Sequence, residues 1–330
     1  METMQIAETG IFAPRIALGT WAIGGSMWGG TDERQAIATV QSAVERGVTM
    51  IDTAPVYGFG RSEEVIGKAL AQSSLRDKVL VATKLGLEWR GGKIWRNASP
   101  TRIRQEVEDS LRRLKTDRID LYQVHWPDEA IAIEETAGAL VDLLAAGKIR
   151  MIGVSNFTVP EMQRFQAVAP LHTVQPPFNL FERGIEKDVL PYAKAKGLAV
   201  LAYGPLCRGL LSGRMSADTT FDGDDLRNSD PKFQMPRRNQ YLEAVAQLAA
   251  FARERHDRSV LALAVRWVLD RGRTVALWGA RRPEQLDAID EARGWVLSAE
   301  DMATIDSILA RTIKDPVGPE FMAPPRGKAA

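Results

Sequence analysis

The stretch "MIDTAPVYGFGRSEEVIGKAL", residues 50–70, holds one complete unit of strand, loop and helix. It starts as a short apolar run, as a buried strand does, and this run ends at one acid, Asp52. A loop that carries Tyr57 and two glycines then leads into a segment with helical spacing that begins at about Ser62. A strand followed directly by a helix is the repeating unit of parallel sheets, because the helix carries the chain back to the start of the next strand.

The same unit recurs along the chain. Strand-like apolar runs alternate with helix-like segments and occupy eight stretches, at residues 15–21, 49–54, 78–84, 119–125, 149–156, 172–178, 198–204 and 274–279. Eight such units in 330 residues predict a closed (β/α)8 TIM barrel of the α/β class rather than an open sheet. Two short apolar runs around Thr9 and Gly10 predict an N-terminal β-hairpin that caps the bottom of the barrel.

The chain shows no break in composition that would mark a second domain. The sequence therefore predicts a single barrel domain over residues 1–330, with its core at about 16–308. A segment without clear periodicity runs from about residue 208 to 238, and a loop of that length inside a compact domain usually carries function. The tail at about 315–330 is rich in Pro, Gly and Ala, so we expect it to be irregular or mobile.

The composition excludes several classes of function. The hydrophobic content is 45%, the charged content is 26% and the net charge is +1, which indicate a globular protein without a basic field for nucleic acid or anionic lipid. The single cysteine, Cys207, excludes an internal disulfide and suits the reducing cytoplasm. The three histidines are too widely spaced to indicate a zinc motif, so we expect no metal. No apolar run is long enough to cross a bilayer, and the amino-terminal residues do not resemble a secretory signal.

Polar residues fall where the predicted barrel strands end. In barrels of this type the chemistry lies at the carboxyl ends of the strands. Asp52, Lys84 and His125 each close a run that is otherwise apolar, and Tyr57 lies five residues beyond Asp52. Taken alone, Asp52 and Lys84 would be interpreted as a structural ion pair, and His125 as a buried histidine with satisfied hydrogen bonds. At three nearby strand ends they are instead predicted to converge on one mouth.

These residue types can act together on a carbonyl group. A tyrosine phenol has an ordinary pKa near 10 and is a poor acid at neutral pH. We expect the Lys84 ammonium to lower the pKa of Tyr57, and Asp52 to hold Lys84 charged and oriented. His125 could donate a hydrogen bond to the same substrate oxygen. Such a set forms a proton donor and an oxyanion-stabilising pocket for a carbonyl that is being reduced.

Several segments carry a resemblance to a known family. They are "DTAPVYGFGRSEEVIGKAL" at 52–70, "YQVHWPD" at 122–128, "GVSNF" at 153–157, "LAYGPLCRGLLSGR" at 201–214 and "GARRPEQL" at 279–286. From about Ile16 to Ile308 the chain resembles the aldo-keto reductase superfamily. In style it is similar to the bacterial long-loop branch, which is related to potassium-channel β subunits.

The resemblance implies an enzyme and a cofactor. It places the family's catalytic tetrad on Asp52, Tyr57, Lys84 and His125, and it implies reversible NADPH-dependent reduction of an aldehyde or ketone to the alcohol. Two adjacent arginines, Arg281 and Arg282, favour NADPH over NADH, because the guanidinium fork matches phosphate oxygens. The alternative is an NADP(H)-sensing regulatory subunit with slow or no turnover.

The cofactor would be held by residues at the strand ends and in the last two loops. Within this set Ser155, Asn156 and Gln175 are expected to bind the nicotinamide carboxamide, Tyr203 to stack on the ring, and the arginines to meet phosphates. The implied contacts are Thr20, Trp21, Ser155, Asn156, Gln175, Tyr203, Gly204, Pro205, Leu206, Arg208, Gly209, Arg214, Gly279, Arg281, Arg282 and Gln285. Trp278 and Ile289 stand where the family usually has Pro and Asn, so the resemblance supplies no adenine contact.

The substrate pocket is implied to lie between the loops after strands one, three, four and seven and the carboxyl-terminal tail. Its expected residues are Trp21, Tyr57, Trp89 and Trp126, although Trp89 could instead pin its own loop. A pocket rich in tryptophan is compatible with aromatic aldehydes, sugars, polyols or a cyclic ketone, and the sequence does not choose among them. A homo-oligomer is equally compatible with the sequence, since the outer helices of a barrel can associate.

Overall fold

The computed structural model describes residues 1–325. Its strands are β1 (Thr3–Gln5), β2 (Phe12–Pro14), β3 (Ile16–Gly19), β4 (Met50–Asp52), β5 (Leu80–Leu85), β6 (Leu87–Arg90), β7 (Lys93–Arg96), β8 (Leu121–Val124), β9 (Ile152–Ser155), β10 (Thr173–Gln175), β11 (Ala199–Ala202) and β12 (Thr274–Gly279). Its α-helices are α1 (Trp21–Gly24), α2 (Glu33–Glu45), α3 (Arg61–Gln72), α4 (Pro100–Leu114), α5 (Ile133–Ala145), α6 (Val159–Gln166), α7 (Val189–Ala195), α8 (Arg237–His256), α9 (Val260–Leu269) and α10 (Ala299–Thr312).

Eight parallel strands close into a barrel, which confirms the predicted fold. Going round the barrel, the order is β3, β4, β5, β8, β9, β10, β11 and β12, and β12 pairs with β3 from Ala276↔Ile16 to Gly279↔Gly19. Each predicted strand-like run therefore supplies one barrel strand. Because all the strands run in the same direction, their carboxyl ends meet at one end of the barrel.

The barrel lumen is filled by side chains and is closed from below. Met50, Leu121, Met151 and Leu201 belong to one buried cluster inside the barrel. Ile6, in the turn of the β1–β2 hairpin, belongs to the same cluster and is fully buried. The hairpin therefore caps the lower end of the barrel, as the sequence predicts.

The helices begin and end where local chemistry indicates. Ser99 accepts a hydrogen bond from the Arg102 N–H at the start of α4, and Pro100 occupies its first turn. Gly47 follows α2 with φ at +81°, a left-handed conformation that glycine adopts without a steric penalty. These residues therefore mark the start of α4 and the end of α2.

Two regions differ from a plain alternation of strands and helices. The segment after β5, expected only to be a loop, forms an antiparallel hairpin, β6–β7, that turns at Gly91 and Gly92. Both glycines have positive φ, as a tight two-residue hairpin turn requires. The long segment at 208–238 contains three short 3₁₀ turns and meets α8 at Arg237.

The carboxyl-terminal segment has an irregular path, as expected. A short 3₁₀ turn at Glu320–Met322 is its one element as far as Pro325. The Lys232 ammonium donates to the Gly318 carbonyl at 2.9 Å, and the Arg208 guanidinium lies 5.4 Å from the centre of the Phe321 ring. Mobility of the tail stays a prediction, and its last residues, 326–330, lie outside the described part. No helix within residues 1–325 is both long and apolar enough to cross a membrane.

Candidate active site

A cavity of about 930 Å³ opens at the carboxyl ends of the barrel strands. Asp52, His125, Ser155, Gln175 and Tyr203 line it, each at or just beyond the end of a different barrel strand. The parallel barrel thus brings together the polar strand-end residues that the sequence singled out. A volume of this size is at the upper end for ligand pockets in proteins.

At the floor of this cavity, Lys84 connects an acid to a phenol. Its ammonium donates to Asp52 Oδ1 at 2.6 Å, to the Thr53 carbonyl at 2.9 Å and to the Tyr57 hydroxyl at 3.1 Å. Lys84 is fully buried, and Asp52 is 3% exposed. The three donor hydrogens of the ammonium therefore have three acceptors, which fix its position beneath the hydroxyl of Tyr57.

Lys84 acts to lower the pKa of Tyr57, as expected, but the net pKa of Tyr57 is raised. Burial raises the pKa of Tyr57 above its ordinary value of 10, and the Lys84 ammonium offsets that rise only in part. Burial alone would lower the pKa of Lys84, but the Asp52 carboxylate and the Tyr57 hydroxyl together outweigh burial and raise that pKa. At neutral pH the phenol keeps its proton and the lysine is charged. Tyr57 is thus in the state that a proton donor requires.

His125 lies beside this pair as a neutral imidazole. Its ring centre is 5.7 Å from that of Tyr57, with the two rings nearly perpendicular. Burial, and then the positive charge of Lys84, hold the pKa of His125 well below its usual 6.5. A neutral imidazole can donate one hydrogen bond into the cavity without adding a charge there.

The residues expected to hold a carboxamide form a connected group on the cavity wall. Ser155 donates to the Gln175 carbonyl at 2.7 Å, and the Tyr203 hydroxyl donates to Asn156 Oδ1 at 3.0 Å. Asn156 Nδ2 donates to the His125 carbonyl and to Ser155 Oγ, both at 3.0 Å. These bonds fix the orientation of the amide and hydroxyl groups on this wall of the cavity.

The predicted phosphate partners do not all face the cavity. Arg208 lines it, but the residue is only 6% exposed, and its guanidinium pairs with Glu182 and Asp230, each at 2.6 Å. This charge is thereby balanced inside the protein, which removes the main reason to assign Arg208 to a phosphate. Arg214 is exposed, lines the cavity and makes no ion pair with a carboxylate of the described residues.

The last loop contributes Arg281 and Gln285 to the rim. Arg281 donates to the Trp28 and Gly30 carbonyls at 2.7 and 2.9 Å and so ties this loop to the one after β3. Gln285 lines the cavity, and its side-chain oxygen accepts the Arg281 N–H at 2.9 Å. Arg282, in contrast, is exposed and is not among the lining residues. The other implied cofactor contacts all line the cavity, and they are Thr20, Trp21, Gly204, Pro205, Leu206, Gly209 and Gly279.

Two of the predicted tryptophans line the cavity and one does not. Trp21 stacks on Tyr57 with ring centres 5.9 Å apart, and Trp126 lies under the Arg96 guanidinium at 5.3 Å. The ring centre of Trp89, on β6, lies 6.0 Å from that of Phe59, and Trp89 does not line the cavity. Its geometry favours the alternative in which it pins its own hairpin.

Sequence reasoning missed several aromatic and apolar lining residues. Trp28 packs edge-on against Trp21 at 5.6 Å, and Phe221 comes from the long segment at 208–238. Phe321 and Met322 enter from the tail. Trp28 lies in the loop after the first barrel strand, where the family pattern places pocket residues, so its position was a usable signal. Phe321 and Met322 lie in the tail, which the family pattern also places at the pocket, whereas Phe221 lies in a segment without periodicity and gave no signal.

The long segment also reaches across the cavity to the loop after β3. Asp224 Oδ2 accepts the Met27 N–H at 2.7 Å, and the Leu226 N–H donates to the Met27 carbonyl at 3.0 Å. The Arg227 guanidinium lies 5.4 Å from the Trp28 ring centre. Within residues 1–325, no group of acids, histidines or cysteines is arranged to hold a metal ion.

With this geometry in place, the comparison with known proteins decides the family. The model of the aldo/keto reductase family matches residues 15–310. The chain belongs to the aldo/keto reductase family. This confirms the resemblance drawn from the sequence and identifies the chain as an oxidoreductase of that family.

Two proteins of known name are similar to this chain in sequence. It is 59% identical over 326 residues to the aldo-keto reductase YhdN of Bacillus subtilis (strain 168), which covers 98% of each chain. It is 34% identical over 302 residues to the NADH-specific methylglyoxal reductase of Escherichia coli (strain K12), covering 87% of this chain and 91% of the relative. Both relatives are named as reductases, and neither is named as a regulatory subunit.

Two solved structures are similar over nearly the whole chain. The glycerol dehydrogenase AKR11B4 from Gluconobacter oxydans has a TM-score of 0.89 at 53% identity, covering 97% of this chain and 99% of that one. An aldo/keto reductase from Klebsiella pneumoniae, solved with NADP and acetate, has a TM-score of 0.73 at 31% identity, covering 93% and 95%. A nicotinamide cofactor is therefore present in a structural relative of this family.

Proposed function

We propose that this protein catalyses the reversible NADPH-dependent reduction of an aldehyde or ketone to the alcohol, with Tyr57 as the general acid. The observation that carries the proposal is the Lys84 ammonium, which joins the Asp52 carboxylate to the Tyr57 hydroxyl on the cavity floor. A half-buried phenol that keeps its proton and contacts a cation is suited to protonate a developing alkoxide.

The cavity suits a dinucleotide in both size and donor chemistry. At its floor, Asn156 and Gln175 present amide groups of the kind that pair with a carboxamide, and the Tyr203 ring lies beside them. At its rim, Arg214 and Arg281 supply positive charge for phosphates. When bound, the cofactor would supply the hydride for the carbonyl carbon.

Each residue of the tetrad then has a separate task. Tyr57 gives its proton to the carbonyl oxygen, and Lys84 stabilises the phenolate that remains. Asp52 keeps Lys84 charged and fixed, since it balances the ammonium inside the protein. His125 is neutral and donates a hydrogen bond to the same oxygen, which orients the carbonyl and stabilises its developing negative charge. In the oxidative direction Tyr57 accepts the proton back.

The preference for NADPH over NADH rests on few residues. Arg281 faces the cavity rim and Arg282 is exposed beside it, and an arginine fork is well suited to a 2′-phosphate. The Klebsiella relative was solved with NADP, whereas the Escherichia relative is named as NADH-specific. Arg281→Met should therefore weaken NADPH binding more than NADH binding.

The substrate that we propose is a small carbonyl compound or its alcohol. Trp21, Trp28 and Trp126 give the mouth an aromatic lining. Glycerol is named for one structural relative and methylglyoxal for one sequence relative, which makes three-carbon compounds the first candidates.

The single buried thiol, Cys207, is in keeping with a cytoplasmic protein.

The test is a screen of cofactor consumption at 340 nm, with NADPH and NADH, against short aldehydes, sugars and aromatic aldehydes. We expect repeated turnover with NADPH on at least one substrate, and its loss in Tyr57→Phe. A single turnover followed by arrest on every substrate would instead support the regulatory alternative. Thermal unfolding of both proteins shows whether the variant is folded.

A further inference from the structure

Gln123 has no assigned role, yet it lies at the centre of the site. It belongs to β8, is fully buried, and stands opposite Lys84 in the β5–β8 register. Its Nε2 donates to Asp52 Oδ2 at 3.0 Å, and its Oε1 accepts a hydrogen bond from Gln175 Nε2 at 3.1 Å. Both polar ends of the Gln123 amide are therefore committed to residues of the site.

A triangle of hydrogen bonds results. Gln175 Nε2 also donates to Asp52 Oδ2, at 2.8 Å, while Lys84 occupies Asp52 Oδ1. A carboxylate only accepts hydrogen bonds, so it forces the NH2 groups of both glutamines to face it. Both donor hydrogens of Gln175 are thus used, by Asp52 and Gln123. Its Oε1 is left as the polar atom of this side chain that can meet a ligand.

The barrel makes room for this triangle. A Cβ at Gly153, which pairs with Gln123 across β8 and β9, would lie 2.9 Å from Gln123 Cγ and 2.2 Å from Thr173 Oγ1. Any larger residue at position 153 would displace Gln123 or Thr173. The glycine of the "GVSNF" segment is thereby explained as space for Gln123, although its own φ is not left-handed.

We infer that Gln123 is a positioning residue: it locks the Gln175 amide so that its carbonyl oxygen, and not its NH2, is offered to the carboxamide NH2 of the nicotinamide. The inference rests on the proposed function, in which Gln175 holds that carboxamide. Gln123 acts through Gln175 and Asp52 and does not itself touch the cofactor. Because Asp52 anchors both glutamines, the acid that holds Lys84 also sets which way the carboxamide faces.

The test compares two oxidised cofactors in binding to Gln123→Met. They are NADP+ and its 3-acetylpyridine analogue, in which a methyl group replaces the carboxamide NH2. Wild-type protein should prefer NADP+ by about two- to tenfold, the worth of one hydrogen bond. In Gln123→Met the preference should fall, because the Gln175 NH2 then keeps its bond to Asp52 but loses the one to Gln123, so its amide is held less firmly. A general loosening of the barrel would weaken both cofactors alike and leave their ratio unchanged.

Two further variants keep the outcome decisive. Thr173→Val alters a buried polar group in the same barrel layer, and it should keep the wild-type ratio because the Thr173 hydroxyl has no hydrogen-bond partner among residues 1–325. Gln123→Glu keeps the side-chain shape, but its ionised form cannot donate to Asp52. The charged neighbours of the new carboxylate are Asp52 and Lys84. As the pH falls and this carboxyl is protonated, the preference of Gln123→Glu for NADP+ should recover.

An unchanged ratio in both Gln123 variants would overturn the inference. Wild-type protein that binds neither cofactor would instead overturn the proposed function, so the two failures are distinguishable.

Discussion

Glu106 offers the sharpest test of the electrostatics that surround the site. It lies on α4, is 1% exposed, and its Oε2 accepts the Gly86 N–H at 2.9 Å, directly after the strand that carries Lys84. Burial, opposed in part by Arg102 and aided by the nearby Glu63 carboxylate, raises the pKa of Glu106 from 4.5 to about 7. The substitution that tests this is Glu106→Gln, which keeps an oxygen for the Gly86 N–H and cannot ionise.

The expected effect follows from proton linkage. Between pH 4.5 and about 7 the folded protein binds a proton at Glu106 that the unfolded chain has released. The free energy of unfolding therefore falls as the pH rises through this window and is lower above it. A rise in pKa from 4.5 to about 7 corresponds to about 3 kcal/mol, at 1.36 kcal/mol for each tenfold change. We expect the stability of Glu106→Gln relative to the wild type to rise by about 2–3 kcal/mol between pH 5 and pH 8.

The assay is chemical denaturation followed by tryptophan fluorescence, for both proteins, at several pH values between 5 and 8. Taking the difference between variant and wild type cancels the groups that titrate in both. Glu108→Gln is the matched control, because Glu108 is on the same helix but pairs with Lys148 at the surface. A difference for Glu106→Gln that stays constant with pH, or that favours the wild type at pH 8, would refute the argument.

The remaining predictions concern the site itself. Tyr57→Phe should reduce kcat by about 10²- to 10⁴-fold while the NADPH dissociation constant changes little, and near-wild-type turnover would contradict its role as the acid. Arg208→Met should lower the free energy of unfolding by about 3–5 kcal/mol, since it removes the cation from the buried Asp230 carboxylate and leaves Glu182 paired with Lys232 alone. In titrations of the folded protein it should weaken NADPH binding less than Arg281→Met does; the reverse order would restore Arg208 as a phosphate ligand. Gly153→Ala should lower the free energy of unfolding by about 1–3 kcal/mol through overpacking, and it should reduce the preference for NADP+ over its 3-acetylpyridine analogue. Unchanged stability would show that the residues around position 153 can move to make room for the extra methyl group.

The fold was predictable because its signals are local. The alternation of apolar runs and helical spacing, and caps such as Ser99, are properties of neighbouring residues. The approach of Asp52, Lys84 and His125 also followed, since parallel strands of one barrel end at the same rim. The β6–β7 hairpin was within reach, because "WRGGKI" at 89–94 places two glycines between strand-like residues, but its length was too short to separate it from a loop.

The parts that could not be predicted depend on distant residues. Arg208 has the same sequence context whether it faces a phosphate or Glu182, and only the packing of segments more than 20 residues apart assigns it to the acid. The net pKa of Tyr57 similarly depends on total burial, which outweighs the one charged neighbour that the sequence reveals. Gln123 was not singled out because glutamine inside an apolar strand has no signature until its partners on other strands are known.

The docking of the carboxyl-terminal segment has a practical consequence for purified protein. Phe321, Met322 and Pro325 line the cavity, so a tag fused after the carboxyl-terminal segment is attached to a segment that forms part of the wall of the site. A tag fused to Met1 lies beside the β1–β2 hairpin, at the opposite end of the barrel. Rates measured on the two fusions need not agree, and the amino-terminal fusion is the safer basis for comparing substrates.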